Sequence, residues 1–332
     1  MTGTRVAVLG AVGYAGAIAA QLLHRHPAFE LTHVTARAES GQRLDDVHPR
    51  TRVPLELEVF DSARHAVDAA VVAYPHGAAA PVVEELRAAG TRVVDLSADF
   101  RLRDRAIYDD WYGEHKAPAI FGQGVYGLPE LTREAVRGAD LVANPGCYPT
   151  AALLALAPLA RAGVVGDVII VAKSGVSGAG RAPTHATHFI SANENVSPYK
   201  ITGHRHTPEI EQELRALGAD LPITFMPHLL PLDQGELVSC YVTPSAELSE
   251  DELLNLFDDM YAREPFVELR TGPVGVIDVR DTNYCRISWH QDPRTGRIIV
   301  FSAIDNLWKG AASQAVQNLN LMFGRPETEG LR

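Results

Sequence analysis

The chain has 332 residues, more than one compact core holds comfortably, so two domains are expected. Hydrophobic residues at 46% and charged residues at 21% exclude a disordered, collagenous or low-complexity chain. Thirty Lys plus Arg against 41 Asp plus Glu leave a formal charge of −11, the opposite of what a nucleic-acid or anionic-membrane binder carries. Residues 1–5 run straight into Val6-Ala-Val-Leu9 without a signal-peptide core. The longest apolar stretch, 151–160, stops at Arg161 after about half a membrane span, so a cytoplasmic protein is expected. Cys147, Cys240 and Cys285 form neither a zinc spacing nor a disulfide framework, which suits a reducing compartment, and no metal site is expected.

In chain order, 5–9 reads as a buried strand, 10–16 as a glycine-rich turn and 17–26 as a helix ended by Pro27. Strands are expected at 31–36, 69–73, 92–96 and 140–143, with a helix at 80–89 closed by Gly90. Strands recurring with helices between them predict βαβ units and a parallel sheet. Residues 101–138, rich in Tyr, Trp, Gly and Pro, read as less regular. Past Cys147 a helix is expected at 150–162, bent or shortened by Pro158, then a strand at 164–173 and a helix at 208–217. Strands at 237–242, 274–279, 284–289 and 297–303, with few helices between them, predict a mostly antiparallel sheet, and a last helix covers 310–323. The expected fold class is α/β. A Rossmann-like doubly wound domain spans 1–146, completed by a C-terminal helix within 306–332, and an α+β domain spans 147–305.

Gly10-Ala-Val-Gly13-Tyr-Ala-Gly16 follows a strand and opens a helix. There, glycines let the backbone turn tightly and approach a pyrophosphate held by the helix N-terminus. A cofactor-selecting residue is expected ~20 residues further on, after the second strand. In place of an acidic residue that would bind a ribose 2′-hydroxyl, the chain has Arg37 and Ser40, a pair suited to a 2′-phosphate. NADP(H) is therefore the expected cofactor.

Asn144-Pro-Gly-Cys147-Tyr-Pro-Thr150 lies between a strand and a helix. Its thiol is expected at a helix N-terminus, where partial positive charge favours thiolate, and at the C-terminal end of a sheet, where such folds bind ligands. Cys240 and Cys285, inside alternating strands, read as core. A catalytic thiol beside a nicotinamide implies covalent catalysis followed by hydride transfer, which needs a proton donor and acceptor. His204 and His206 are the candidates, with Glu209 and Glu211 able to orient an imidazole, and the residues alone do not choose between the two histidines.

With these segments, Pro75-His76-Gly77, Asp95-Leu-Ser-Ala-Asp-Phe-Arg101, Val125-Tyr-Gly-Leu-Pro-Glu130, Lys173-Ser-Gly-Val-Ser-Gly-Ala-Gly-Arg181, His204-Arg-His-Thr-Pro-Glu-Ile210 and Asp305-Asn-Leu-Trp-Lys-Gly-Ala311, the chain resembles the N-acetyl-gamma-glutamyl-phosphate reductases of arginine biosynthesis nearly end to end. In the glycine turn, Val12 and Ala15 stand where that family usually has a small hydroxyl residue and a Thr. The resemblance implies that Cys147 attacks the acyl phosphate of N-acetyl-glutamyl 5-phosphate and releases phosphate. Hydride from NADPH then reduces the thioester to the semialdehyde, with His206 as preferred acid/base and His204 close behind. It also implies cofactor contacts from Gly10, Val12, Gly13, Tyr14 and Gly16, from Pro75 and His76, and from Ser174, Gly175, Gly178 and Asn306. Substrate contacts are implied for Arg101, Asn144 and Glu209. The expected partners are a small-molecule substrate and copies of the same chain, in a dimer or tetramer joined through the second domain, with neither nucleic acid nor membrane. Two alternatives are a reductase acting on a carrier-protein-linked aminoadipyl or glutamyl phosphate in lysine synthesis, and a non-catalytic NADPH-binding regulator. The acidic charge argues against the first, and an intact set of thiol, acid/base and arginine argues against the second.

Overall fold

The computed structural model describes residues Gly3–Leu331. The chain forms two compact units, one ending at Gly146 and resuming at Ala311, the other Cys147–Gly310. The chain re-enters the first unit at 311, so residues 306–310, expected to go with the C-terminal helix, stay with the second unit.

The first unit contains β1 (Thr4–Leu9), α1 (Tyr14–His24), β2 (Phe29–Thr35), the single turn α2 (Leu44–Val47), β3 (Leu57–Glu58), β4 (Ala69–Val72) and α3 (Ala80–Ala88). It continues with β5 (Arg92–Asp95), α4 (Arg105–Tyr112), β6 (Val125–Tyr126), α5 (Pro129–Val136) and β7 (Leu141–Ala143). The strand order is β3-β2-β1-β4-β5-β7-β6, and every pairing is parallel. Val6–Leu9 and all of β4 are buried, the continuous apolar run of strands covered on both faces. Gly90, at φ +82°, closes α3 as expected. The segment 101–138 is more regular than its composition suggests. Asp104 starts α4 by accepting the N–H groups of Ala106 at 2.8 Å and Ile107 at 3.3 Å.

The second unit contains α6 (Cys147–Arg161), β8 (Val165–Gly175), the turn α7 (Phe189–Ala192), β9 (Ser197–Pro198), α8 (Thr207–Ala216) and β10 (Thr224–Leu230). After these come β11 (Glu236–Pro244), α9 (Glu250–Tyr261), β12 (Val267–Leu269), β13 (Cys285–Gln291) and β14 (Ile298–Ile304). Its order is β12-β13-β14-β11-β8-β10-β9, antiparallel except at β12/β13 and β8/β10. Helix α6 packs across β11, β14 and β8 over a face carrying Val168, Ile170, Ala172, Val238, Cys240 and Val242, all fully buried.

Three expectations change here. Helix α6 begins at Cys147, three residues earlier than expected, and runs through Pro158 to Arg161. Pro158 has no N–H for the carbonyl of Leu154, and the Tyr261 hydroxyl donates to that carbonyl at 2.6 Å, so the missing bond is replaced from α9. Residues 274–279 form no strand. The Asp278 carboxylate accepts the Gly275 N–H at 3.2 Å and folds 276–278 into a 3₁₀ turn that leaves Ile277 exposed. Helix α9 was not anticipated, although Ser249 and Glu252 close a capping box at its start.

After a π-helical turn at Trp308–Ala312, α10 (Ser313–Met322) completes the first unit against α1 and α5. It docks partly by polar bonds. Asn318 Nδ2 donates to the Gly127 carbonyl at 2.9 Å and to Asn144 Oδ1 at 3.0 Å, and Arg92 donates to the Met322 carbonyl at 2.7 Å.

Candidate active site

Because the first sheet is parallel, the turns after β1, β2, β4, β5 and β7 share its C-terminal edge. The glycine turn is fastened there: the N–H groups of Gly10 and Ala11 both reach the Thr35 carbonyl at the end of β2, at 3.1 and 3.0 Å. Gly10 has φ +82°, and a Cβ on it would lie 2.7 Å from the Ala73 carbonyl oxygen. A Cβ on Gly16 would lie 2.3 Å from the Gly10 oxygen. Gly10 therefore permits the sharp turn and Gly16 the close seating of α1 on β1, the two backbone conditions for a pyrophosphate at a helix N-terminus. Gly13 opens the helix, Tyr14 is exposed, and the Val12 carbonyl is held by His48 Nε2 at 2.9 Å. A dinucleotide fits this cradle. Arg37 and Ser40, just past β2, are exposed.

Pro75 and His76 begin the turn after β4. It is held by Asp99, whose carboxylate accepts the N–H groups of Gly77 and Ala80 and the Tyr108 hydroxyl. His76 Nδ1 accepts the Ala98 N–H at 2.9 Å. Asp95 is fully buried at the end of β5; burial pushes its carboxyl up to about 7 against the pull of its bonds from Ser97. Arg101 is buried rather than presented at the surface. Its Nε donates to the Asn144 carbonyl at 2.8 Å and its Nη2 to the Leu96 carbonyl at 2.7 Å, tying two strand ends together. The Asn144 amide is likewise engaged, by Asn318 and the Ala311 carbonyl.

In the second unit, Cys147 is half-buried at the first position of a 15-residue helix. The backbone of Gly310 lies against it: a Cβ on Gly310 would sit 2.7 Å from that of Cys147. The next residue, Tyr148, brings both histidines to the start of α6, its ring centroid 5.6 Å from His204 and 5.9 Å from His206. The Tyr199 hydroxyl donates to that of Tyr148 at 3.2 Å. His204 is buried and its Nδ1 accepts the His206 N–H at 3.1 Å. Burial, reinforced by Lys200 and Arg205, pushes the His204 imidazole down to about 3. His206, half-buried, is the N-cap of α8, and Glu209 is buried in that helix's first turn.

Ser174, Gly175, Gly178 and Asn306 come together around the end of β8. Asn306 Oδ1 accepts the Gly235 N–H at 2.7 Å while its Nδ2 donates to Ser177 Oγ at 3.1 Å. A Cβ on Gly178 would lie 3.0 Å from Ser174 Oγ, and one on Gly175 would lie 2.8 Å from the Gln234 nitrogen. One residue beside the thiol was not singled out in the sequence: Glu236, which opens β11 completely buried. Its signal was a charge directly after Gly235 at the head of an alternating strand.

His33, Glu58 and His65 bring possible metal-ligating atoms within 4.8 Å of one another, but the tautomer opposes a metal. His65 Nδ1 accepts the Asp61 N–H at 2.9 Å, so in the neutral ring Nε2 carries the proton and donates to Glu58.

Family comparisons agree with this architecture. The NAD-binding domain of semialdehyde dehydrogenases matches residues 5–139, and the semialdehyde dehydrogenase dimerisation domain matches 147–306. The chain superposes on the crystal structure of aspartate semialdehyde dehydrogenase II complexed with ASA from Vibrio cholerae with a TM-score of 0.74 at 20% identity, covering 98% and 99% of the two chains, a likeness of fold. The class is therefore the semialdehyde dehydrogenases, two-domain proteins with a nicotinamide-nucleotide domain. Relatives in Desulforudis audaxviator and Symbiobacterium thermophilum, each 48% identical over 98% of this chain and 97% of their own, carry the name N-acetyl-gamma-glutamyl-phosphate reductase. The chain belongs to that family. Among the described residues no helix is long and apolar enough to cross a membrane.

Proposed function

We propose that the protein reduces N-acetyl-glutamyl 5-phosphate to N-acetyl-glutamate 5-semialdehyde and phosphate, drawing on NADPH, as a step of arginine biosynthesis. The observation that carries this reading is Cys147, half-exposed on the first turn of α6 with an imidazole pair against its neighbour Tyr148. The helix N-terminus favours the thiolate, and His206 takes the thiol proton. Sulfur then bonds to the acyl carbon while the carbon–oxygen bond to phosphate breaks and phosphate leaves with the electron pair. When bound, the reduced nicotinamide supplies the hydride that converts the acyl group to an aldehyde. His206 returns its proton to sulfur as the aldehyde departs. His204, held neutral by burial and by its bond from His206, orients the pair.

The glycine turn, with Val12 and Tyr14, and the turn at Pro75 and His76 would hold the dinucleotide, with Ser174, Gly175, Gly178 and Asn306 on its nicotinamide side. Arg37 and Ser40 support NADP over NAD, since Arg37 is exposed and meets no carboxylate among the described residues. Glu209 and the Arg101–Asn144 pair stand for the substrate side, the latter two through the strand ends they fix. Copies of the chain associate through the second unit as a dimer or tetramer, in the cytoplasm. The test is phosphate-dependent reduction of NADP+ and NAD+ by the semialdehyde. Wild type is expected to prefer NADP+ and Cys147→Ser to show no turnover. Arg37→Ala should lose roughly 10- to 150-fold of that preference, the worth of a charge-assisted bond. Turnover surviving in Cys147→Ser would overturn the mechanism, and unchanged discrimination in Arg37→Ala the NADP assignment.

A further inference from the structure

Glu236 is the first residue of β11, in register with Ser174 of β8 and Ile304 of β14, on the strand face that also carries Val238 and Cys240 beneath α6. It is completely buried, and neither carboxyl oxygen has a hydrogen-bond partner in good geometry among the described residues. Buried carboxyls are ordinarily bonded or paired with a cation, so this one needs a reason. The groups acting on it are the Cys147 thiol from α6, Asp305 beyond β14, and the phenols of Tyr148 and Tyr199. None of these is a cation. Lys173, adjacent to its β8 partner, points to the opposite face of the sheet, where its Nζ meets Ser239 Oγ at 3.2 Å. Burial pushes the Glu236 carboxyl up to about 8, Asp305 adds to the rise, and only the thiol favours its charged form.

At neutral pH the group beside the nucleophile is therefore mainly a carboxylic acid, with one O–H and the Cys147 sulfur as its neighbouring acceptor. An ionised carboxylate there would repel a thiolate, whereas the acid stabilises one. Resting on the thiol mechanism proposed above, we infer that Glu236 is a positioning residue for the nucleophile: it donates its O–H to the sulfur of Cys147 once the thiol proton has left. Its own O–H bond stays intact. The proton that leaves sulfur goes to His206, the electron pair remains on sulfur, and Glu236 shares its hydrogen with the resulting anion.

The experiment measures the alkylation rate of Cys147 by iodoacetamide between pH 5 and 10, with the modified peptide identified by mass spectrometry and no substrate or cofactor added. Glu236→Leu removes the donor, and about a tenfold slower alkylation at pH 7 is expected, with thiolate formation moved to higher pH. Glu236→Gln keeps an N–H donor, and a rate within threefold of wild type is expected. Wild type should show two coupled steps, because ionising Glu236 hinders ionising the thiol; Glu236→Gln should show one. Should Glu236→Leu fail to fold, as circular dichroism would reveal, the profile of Glu236→Gln decides alone. Identical profiles in wild type and Glu236→Gln overturn the inference. If Cys147→Ser is inactive while that identity holds, only the role of Glu236 falls; an active Cys147→Ser removes the mechanism beneath it.

Discussion

The Nδ1 of His204 accepts a backbone N–H, and its ring lies edge-on to Tyr148, Tyr199 and Phe225. Taking up a proton there would break that bond and strand a charge in an aromatic box. His206, the N-cap of α8, is only half-buried and so the more open of the two to solvent and substrate. His206→Asn should therefore lower the single-turnover reduction rate by about 10²- to 10⁴-fold, the usual worth of a general acid/base, and His204→Asn by less than about tenfold. Equal losses would reject the assignment. Stability carries the same signature. Because the His204 pKa falls from 6.5 to about 3 on folding, the unfolded chain holds the extra proton between these values, and stability declines as pH drops through that window. The glycine turn, thiol and histidines were legible because their chemistry is written in adjacent residues. Glu236 was not, since strand alternation starts at Leu237 and a charge before it reads as loop.

Pro158 and Tyr261 form one device shared by two helices. Tyr261→Phe leaves the buried Leu154 carbonyl without its donor and should cost about 1–3 kcal/mol in denaturant unfolding. In a Pro158→Ala background the helix regains an N–H for that carbonyl, so the same substitution should cost clearly less; an equal cost in both backgrounds would refute the pairing. Five strands of the first unit, β1, β2, β4, β5 and β7, were plain in the sequence as apolar runs, whereas β3 and β6, two residues each, were too short to leave a pattern. Elements of the second unit were harder. At Val274–Val279 an apolar alternation was overridden by the Asp278–Gly275 bond, a competition visible only when side chain and backbone are placed together. Helix α9 opens on three acidic residues, Glu250 to Glu252, that suit a helix first turn, and its capping box at Ser249 and Glu252 was the signal available.

Among the described residues, one stretch of the second unit exposes several large apolar side chains in sequence: Phe189 and Ile190 are 72% and 77% exposed, and Val196 and Ile201 follow, also exposed. Such a patch marks an interface more often than a bare surface. If copies of the chain meet there, sedimentation should find a dimer or larger species for the wild type and a shift toward monomer for Phe189→Ser with Ile190→Ser, with secondary structure unchanged. An unshifted assembly would move the interface elsewhere.

The first unit is sewn from both ends of the chain, with residues 147–310 intervening. At ribosomal speeds of about 5–20 residues per second, its last strand, β7, waits roughly ten to thirty seconds for α10 to be synthesised, and the earlier strands longer. Until then the Gly127 carbonyl and the Asn144 side chain lack the amide of Asn318, and the apolar surface under α10 faces water. The half that carries the nucleotide is thus the last to be finished, and a nascent chain halted before its C-terminus is a client for chaperones rather than a partial enzyme.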